Sequence, residues 1–191
     1  MATVGTERHP ALLRREDTGL IVVDVQEAFR PVIDAFDATV RNCGILAAGF
    51  GALGRPVLVS EQYPKGLGHT VAELAERLPE GTEPVEKLRF SACGVEAFDR
   101  RLAEAGCSTW VVCGIETHVC VNQTVHDLLA RGHSVHVAAD AVSSRAPSNR
   151  EAGLEKMRAA GARVTTAEMA LFELLEVAGS DEFKAISKMV R

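Results

Sequence analysis

The sequence predicts an α/β fold, a three-layer α-β-α sandwich around a mostly parallel, six-stranded sheet. Short apolar runs alternate with stretches of helical spacing, which is the pattern of strand–helix–strand units. The runs are apolar almost throughout, as in strands buried on both faces. The chain has 191 residues, 47% of them hydrophobic, which is enough for a sizeable core. No linker or repeat divides it, so we expect one domain over residues 1–191 with its core at about 18–177.

Six apolar runs are the predicted strands. The first, "GLIVVDV", carries an acid near its end, and the fourth, "STWVVCGI", leads into the motif "GIETHVCVNQT". In chain order the predicted strands are 19–25, 55–62, 84–87, 108–115, 134–140 and 163–166. In the commonest doubly wound order the first and fourth strands are neighbours where the strand order reverses, and ligands bind there. We therefore expect a crevice between the ends of these two strands.

The stretches between the runs are predicted helices. The first of them contains three glycines, which weaken its helical propensity. The third is followed by Gly106, a residue suited to a helix C-cap. The predicted helices are 38–53, 71–78, 95–105, a helix from the "GIETHVCVNQT" motif to 130, 149–160 and 167–177.

Composition and charge argue against nucleic acids and membranes as partners. The formal net charge is −5, and no basic patch is present. No apolar run reaches the roughly 18 residues of a membrane span, and the first ten residues lack the apolar segment of a signal peptide. Five cysteines, an odd number without a tight framework, fit free thiols in a reducing compartment. We therefore predict a cytoplasmic protein with a small-molecule substrate.

Cys120 is placed by the sequence in the first turn of the predicted fourth helix. The free N–H groups and partial positive charge of a helix N-terminus favour a thiolate, which predicts a lowered pKa for this thiol. Thr117, three residues earlier, is the predicted N-cap. Cysteine is equally at home as a small apolar core residue. Position alone leaves the nucleophile and the core residue open.

Asp24 and Lys87 end two other predicted strands and should reach the same edge of the sheet as Cys120. An ionised carboxylate beside a thiol can act as a base. An acid after a strand can also cap a turn or a helix, and most lysines are solvated surface residues. The residues alone leave these alternatives open.

Four separated segments resemble the isochorismatase-like cysteine hydrolases, a family that includes nicotinamidases and carbamoylsarcosine amidases. The segments are "VVDVQEAF", "EKLRFSA", "GIETHVCVNQT" and "ADAVSSR", in the order and spacing of the family. The resemblance implies a Rossmann-like hydrolase that assembles as a homo-oligomer, either a dimer or a tetramer. It also implies cleavage of a non-peptide C–N bond in a small amide or carbamoyl compound through a Cys-bound thioester.

The resemblance further implies roles for particular residues. Asp24, Lys87 and Cys120 match the family's catalytic triad. A cis peptide bond is implied between Ile115 and Glu116, and the N–H groups of Glu116 and Cys120 would form the oxyanion hole.

A metal site is not expected, because the sequence departs from the nicotinamidase pattern. The Asp-x-His pair of that pattern is missing, and Glu61 and Gln62 stand in that region. His69 and His118 remain, but neither has a partner at good ligand spacing. We therefore expect no metal and no cofactor, and nicotinamide is a poor candidate substrate without a metal to anchor its ring nitrogen.

The pocket is less well specified by the sequence than the triad. Ordinary packing is an equal alternative for each candidate. The candidates are Phe29, Tyr63 and Phe90 for an apolar wall and Gln26, Glu116 and His118 for polar contacts. Arg145 would either hold a loop by ion pairing or contact an anionic substrate.

Two other functions remain open at this point. One is a thiol redox enzyme or sensor in which Cys93 is the partner of Cys120. The other is a non-catalytic interaction protein on the same fold.

Overall fold

A single sheet of six strands organises the chain in the computed structural model, which describes residues 8–191. The strands are β1 Thr18–Val23, β2 Val57–Gln62, β3 Val85–Lys87, β4 Thr109–Ile115, β5 Ser134–Ser143 and β6 Arg163–Thr165. Their order is β3-β2-β1-β4-β5-β6, and each adjacent pair is parallel. The predicted α/β fold is confirmed, with a sheet that is parallel throughout. As predicted, β1 and β4 are neighbours at the reversal of strand order.

Helices cover both faces of this sheet. They are α1 Phe36–Ala52, α2 Pro64–Leu67, α3 Ala72–Ala75, α4 Glu96–Ala105, α5 Asn122–Ala130, α6 Pro147–Ala159, α7 Ala167–Leu175 and α8 Asp181–Met189. Gly106 caps α4 in the left-handed conformation, as predicted. Among the described residues, no helix is both long and apolar enough to cross a membrane.

Two hydrophobic clusters, one on each face, give the three layers. Leu20 and Val22 of β1 face the cluster that α1, α7 and α8 cover. Ile21 and Val23 face the cluster under α4, α5 and α6. Successive side chains of a strand point to opposite faces, so a strand covered on both sides is apolar throughout.

The glycines of α1 are explained by packing. A Cβ atom added at Gly49 would lie 2.4 Å from Leu171 Cδ2, so the missing side chain lets α7 approach α1 closely. A Cβ atom at Gly44 would likewise meet the Arg77 side chain. Glycine lowers the helical propensity at these positions but allows neighbouring side chains to pack closely against α1.

The structure corrects two sequence-based predictions about local structure and contains an additional helix. The helix predicted over 71–78 is only the single turn α3, because the chain then continues with i→i+3 hydrogen bonds from Arg77 and Leu78. Thr117 is not an N-cap: it begins a π-helical turn, Thr117–Val121, and its hydroxyl accepts or donates no hydrogen bond within residues 8–191. The helix α8 had not been predicted.

Candidate functional site

Four strands that are consecutive across the sheet bring the candidate residues together. Lys87 ends β3, Ser60 lies in β2, Asp24 follows β1, and Cys120 lies in the π-helical turn after β4. The carboxyl ends of parallel strands share one edge of the sheet, so side chains distant in sequence meet there. The backbone of Asp24 has a φ of 52°, in the left-handed region that non-glycine residues seldom adopt outside functional or tightly constrained sites.

Asp24 and Lys87 form a buried ion pair at the centre of the site. Lys87 Nζ lies 2.6 Å from Asp24 Oδ2, and both side chains are almost fully enclosed. The Ser60 hydroxyl donates to Asp24 Oδ1 at 2.7 Å. Burial raises the pKa of the Asp24 carboxyl, although the Lys87 ammonium and the Ser60 hydroxyl oppose this rise. A carboxylate held in this way is a stronger base than one in water.

Lys87 is not a solvated surface lysine. Besides Asp24, its ammonium donates to Gln62 Oε1 at 2.8 Å and to the carbonyl oxygens of Arg89 at 3.1 Å and Phe90 at 2.9 Å. These contacts compensate a charge that would otherwise be costly to bury. They also fasten the 89–90 segment to the site, so Lys87 positions a loop as well as a carboxylate.

Cys120 lies beside this ion pair and is 6% exposed. Burial and the charge of Asp24 raise the pKa of its thiol to about 12, although Lys87 lowers it. The lowered pKa predicted from the helix terminus is therefore wrong for this state of the site. The resting arrangement is a neutral thiol next to a carboxylate, and proton transfer between them must precede or accompany nucleophilic attack.

This arrangement predicts the pH profile of Cys120 alkylation. A thiol with a pKa of about 12 gains thiolate about tenfold per pH unit below that value. We therefore expect the rate of iodoacetamide labelling at Cys120, measured by peptide mass spectrometry, to rise from pH 7 to 10 without a plateau. A plateau below pH 9 would show that the thiolate is stabilised and would contradict this account of the resting site.

Glu116 joins the loops that follow β4 and β5. The peptide bond between Ile115 and Glu116 is cis. The backbone N–H and the Nε of Arg145 both donate to Glu116 Oε2 at 3.0 Å. Of the two roles considered for Arg145, ion pairing between loops is therefore present in the structure.

An apolar cavity of about 380 Å³ opens directly onto Cys120. Phe29 and Phe90 of the predicted pocket line it, together with Glu116. The remaining lining residues are Ala28, Val32, Gln62, Leu67, Val119 and Arg145. Most of the wall is hydrocarbon, so it suits an apolar group attached to a reacting carbonyl.

Three predicted pocket residues lie elsewhere. The Gln26 amide is buried and bonded to the backbone of Gln62 and Gly68, so it holds loops together and has no amide group left for a ligand. Tyr63 is half exposed and lines a different cavity, beside β3. His118 Nδ1 lies 3.0 Å from Ser144 Oγ and does not line the cavity.

Sequence reasoning missed Ser60 and Gln62, which contact the ion pair directly. A signal was present, because both are polar residues at the carboxyl end of an otherwise apolar strand. Val32, Leu67 and Val119 carried no comparable signal, because they lie in a turn, a single-turn helix and a π-helical turn, where the sequence does not show which way a side chain points.

The region that would hold a metal in a nicotinamidase has a different arrangement. The Glu61 carboxylate accepts from the backbone N–H and hydroxyl of Thr70 and lies 3.0 Å from His69 Nδ1. Glu61 and His69 therefore hold the loop around Thr70 in place. Within residues 8–191 no group of three or more His, Cys, Asp or Glu side chains is arranged to hold a metal.

The other cysteines are buried in the core and free. Cys93 is 1% exposed, and burial raises the pKa of its thiol to about 11. Cys43 donates to the carbonyl oxygen of Ala141, and burial raises the pKa of Cys113 well above its usual range. Among the cysteines, Cys120 alone lines the cavity beside Asp24.

Comparisons with known proteins agree on one family. A family model of the isochorismatase domain matches residues 18–169. Isochorismatase domain-containing protein 2 of Danio rerio is 40% identical over 172 residues, covering 90% of this chain and 85% of that protein. Secreted isochorismatase effector Isc1 of Phytophthora sojae is 39% identical over 176 residues, covering 90% and 83%. The solved MAR1 ribonuclease of Caenorhabditis elegans superposes with a TM-score of 0.90 at 38% identity, covering 94% of this chain and 92% of that one.

Proposed function

The chain belongs to the isochorismatase family of hydrolases, and we propose that it cleaves a non-peptide C–N bond in a small amide or carbamoyl compound. Cys120 is the nucleophile, Asp24 the base and Lys87 the cation that supports the base. The observation that carries this proposal is the buried Asp24–Lys87 pair, 2.6 Å apart, beside the one cysteine that lines the apolar cavity. The reaction uses these side chains and needs no metal.

Acylation begins with proton transfer from Cys120 Sγ to Asp24. The sulfur adds to the substrate carbonyl carbon, and the oxyanion is held by the N–H groups of Glu116 and Cys120. The C–N bond then breaks, and Asp24 returns the proton to the departing nitrogen. The products of this half-reaction are a free amine and a thioester on Cys120.

Deacylation restores the thiol. Water enters the position that the amine has left, and Asp24 removes a proton from it as it attacks the thioester carbonyl. The C–S bond breaks, the sulfur recovers the proton from Asp24, and the acid leaves. Lys87 keeps its proton throughout and stabilises the carboxylate form of Asp24 between transfers.

The test is direct capture of the acyl-enzyme. The protein is mixed with a short-chain aliphatic anilide and the reaction is quenched with acid. We expect the intact mass to increase by one acyl group, and peptide mass spectrometry to place this group on Cys120. The Cys120→Ala protein should show no such adduct, and Cys93→Ala, which removes a different buried thiol, should keep it. Hydrolysis that continues in Cys120→Ala, or an acyl group mapped to another cysteine, would overturn the proposal.

A redox function and a ribonuclease function are two alternatives to this proposal. The redox alternative needs Cys93 as an accessible partner, and its burial and raised pKa weigh against that role. A ribonuclease activity is named for the Caenorhabditis elegans relative. The net charge of −5 weighs against RNA binding by this chain, and a short RNA belongs in the substrate panel to test it.

A further inference from the structure

A second cavity shares Phe90 with the apolar cavity at Cys120. It has a volume of about 370 Å³ and differs in character, since its lining is mostly polar. Phe90 is 54% exposed and lines both cavities, so the two adjoin at this side chain. The carbonyl of Phe90 accepts a hydrogen bond from Lys87, which fixes this residue relative to the candidate catalytic residues. We call this space the Asn122 cavity.

Asn122 supplies the first indication of a ligand. It begins α5, is 8% exposed and lines the cavity. Its side-chain oxygen is fully buried, so a ligand can reach only the other end of the amide, whose NH₂ group donates to no acceptor within residues 8–191. A ligand that accepts a hydrogen bond there, as a carboxylate or phosphate oxygen does, would be favoured.

The charges around the cavity supply the second indication. Arg89, from the loop after β3, and Lys156, from α6, both line it. Neither side chain forms an ion pair with the described part of the chain. Asp127 is the one carboxylate in the lining, so the cavity has an excess of one positive charge when His126 is neutral. Such a cavity suits an anionic group.

We propose that the Asn122 cavity binds the leaving half of the substrate, and that this half carries an anionic group. The apolar cavity then holds the acyl half, with the scissile C–N bond at Cys120 beside Phe90. The substrate class is an N-acyl amino acid or its phosphorylated amine counterpart, with a short apolar acyl group. This assignment of substrate class rests on the proposed function, whereas the binding site itself does not.

Matched butanoyl amides test the assignment. N-Butanoyl-L-serine and N-butanoyl-L-alanine carry the anion, and N-butanoyl-L-serinamide lacks it. We expect the two anionic amides to have lower KM values than the serinamide. N-Butanoyl phosphoethanolamine shows whether the anion preferred is a carboxylate or a phosphate.

Lys156→Ala is the test variant, since this exposed lysine takes no part in the proposed chemistry. It should raise the KM of N-butanoyl-L-serine about 5-fold, the upper range for an exposed ion pair, and leave its kcat and the KM of the serinamide unchanged. Lys65→Ala, an exposed lysine that lines a different cavity, is the matched control and should change neither. Equal KM values for charged and neutral amides, unaffected by Lys156→Ala, would overturn the assignment.

Binding to the Cys120→Ala protein separates this inference from the proposed function. One outcome is that no amide is hydrolysed, but N-butanoyl-L-serine binds and Lys156→Ala raises its Kd. The Asn122 cavity is then supported as a binding site, and the hydrolytic mechanism is contradicted. If neutral amides are hydrolysed without any preference for anions, the mechanism stands and the assignment of the cavity fails.

Discussion

Replacing Asp24 by asparagine is expected to change the two reactivities of Cys120 in opposite directions. Turnover of an amide substrate should fall by about 10³-fold, because a general base and acid typically contributes about 10²–10⁴-fold. Alkylation of Cys120 by iodoacetamide at pH 8 should become faster. Burial and the charge of Asp24 raise the pKa of this thiol and Lys87 lowers it, so removing the carboxylate leaves burial opposed by the cation and lowers the pKa.

The opposite signs make this prediction informative. A variant that had merely lost its structure would expose all five cysteines and accelerate their labelling together. We expect acceleration at Cys120 alone, with the other four resolved individually by peptide mass spectrometry.

A buried carboxylate on the neighbouring strand provides the control. Glu61 is enclosed like Asp24 but bonds to Thr70 and His69 instead of Lys87. Glu61→Gln should therefore leave both the turnover and the Cys120 labelling near those of the original protein. If Asp24→Asn kept more than a tenth of the turnover, Asp24 would not be the base. If it slowed alkylation, the charge of Asp24 would not be what holds the pKa of Cys120 high.

The meeting of Asp24 and Cys120 in one site was predictable, because both residues follow the carboxyl ends of neighbouring strands. An apolar run that closes on Asp24 and another that leads to Cys120 are enough to place both residues at one crevice, once the usual strand order is assumed. The addition of Lys87 to this pair depended on the resemblance to a family. Lys87 ends a strand of only three residues, and nothing in the sequence around it predicts that its side chain is buried.

Other features could not be predicted because long-range packing decides them. The Gln26 amide is taken up by the backbone of residues 62 and 68, some 40 positions away in the sequence. The pKa of Cys120 depends on its burial and on Asp24 more than on the adjacent helix terminus. The helix α8 is a different case, because Ser180 caps it, acidic residues begin it and Phe183, Ile186 and Met189 recur at helical spacing, so its sequence carried signals that were missed.

Lys87→Met is expected to destabilise the fold strongly as well as to abolish turnover. The substitution keeps the apolar length of the side chain but removes the ammonium, which leaves the Asp24 carboxylate buried without its cation. Removing one member of a buried ion pair typically costs about 3–5 kcal/mol of unfolding free energy. Denaturant unfolding followed by circular dichroism measures the change, and Lys65→Met at an exposed position is the matched control.

The pH dependence of this loss has a definite sign. Without the Lys87 ammonium, which lowers the pKa of Asp24, burial raises that pKa further above its ordinary value of 3.8. The folded protein then holds a proton that the unfolded chain has released, so the unfolding free energy falls as pH rises above 3.8 toward the raised pKa. Lys87→Met should therefore be more stable at pH 5 than at pH 8, relative to the original protein.

The double variant Asp24→Asn/Lys87→Met completes the argument, because it removes both charges. Replacing a buried ion pair by uncharged residues is often nearly neutral, so the double variant should be more stable than Lys87→Met at pH 8 and should lose most of its pH dependence. Both variants should lack turnover. If the double variant were no more stable than Lys87→Met, the cost would arise from packing around residue 87 and not from an uncompensated carboxylate, and the ion pair would have to be regarded as a catalytic feature without a structural role.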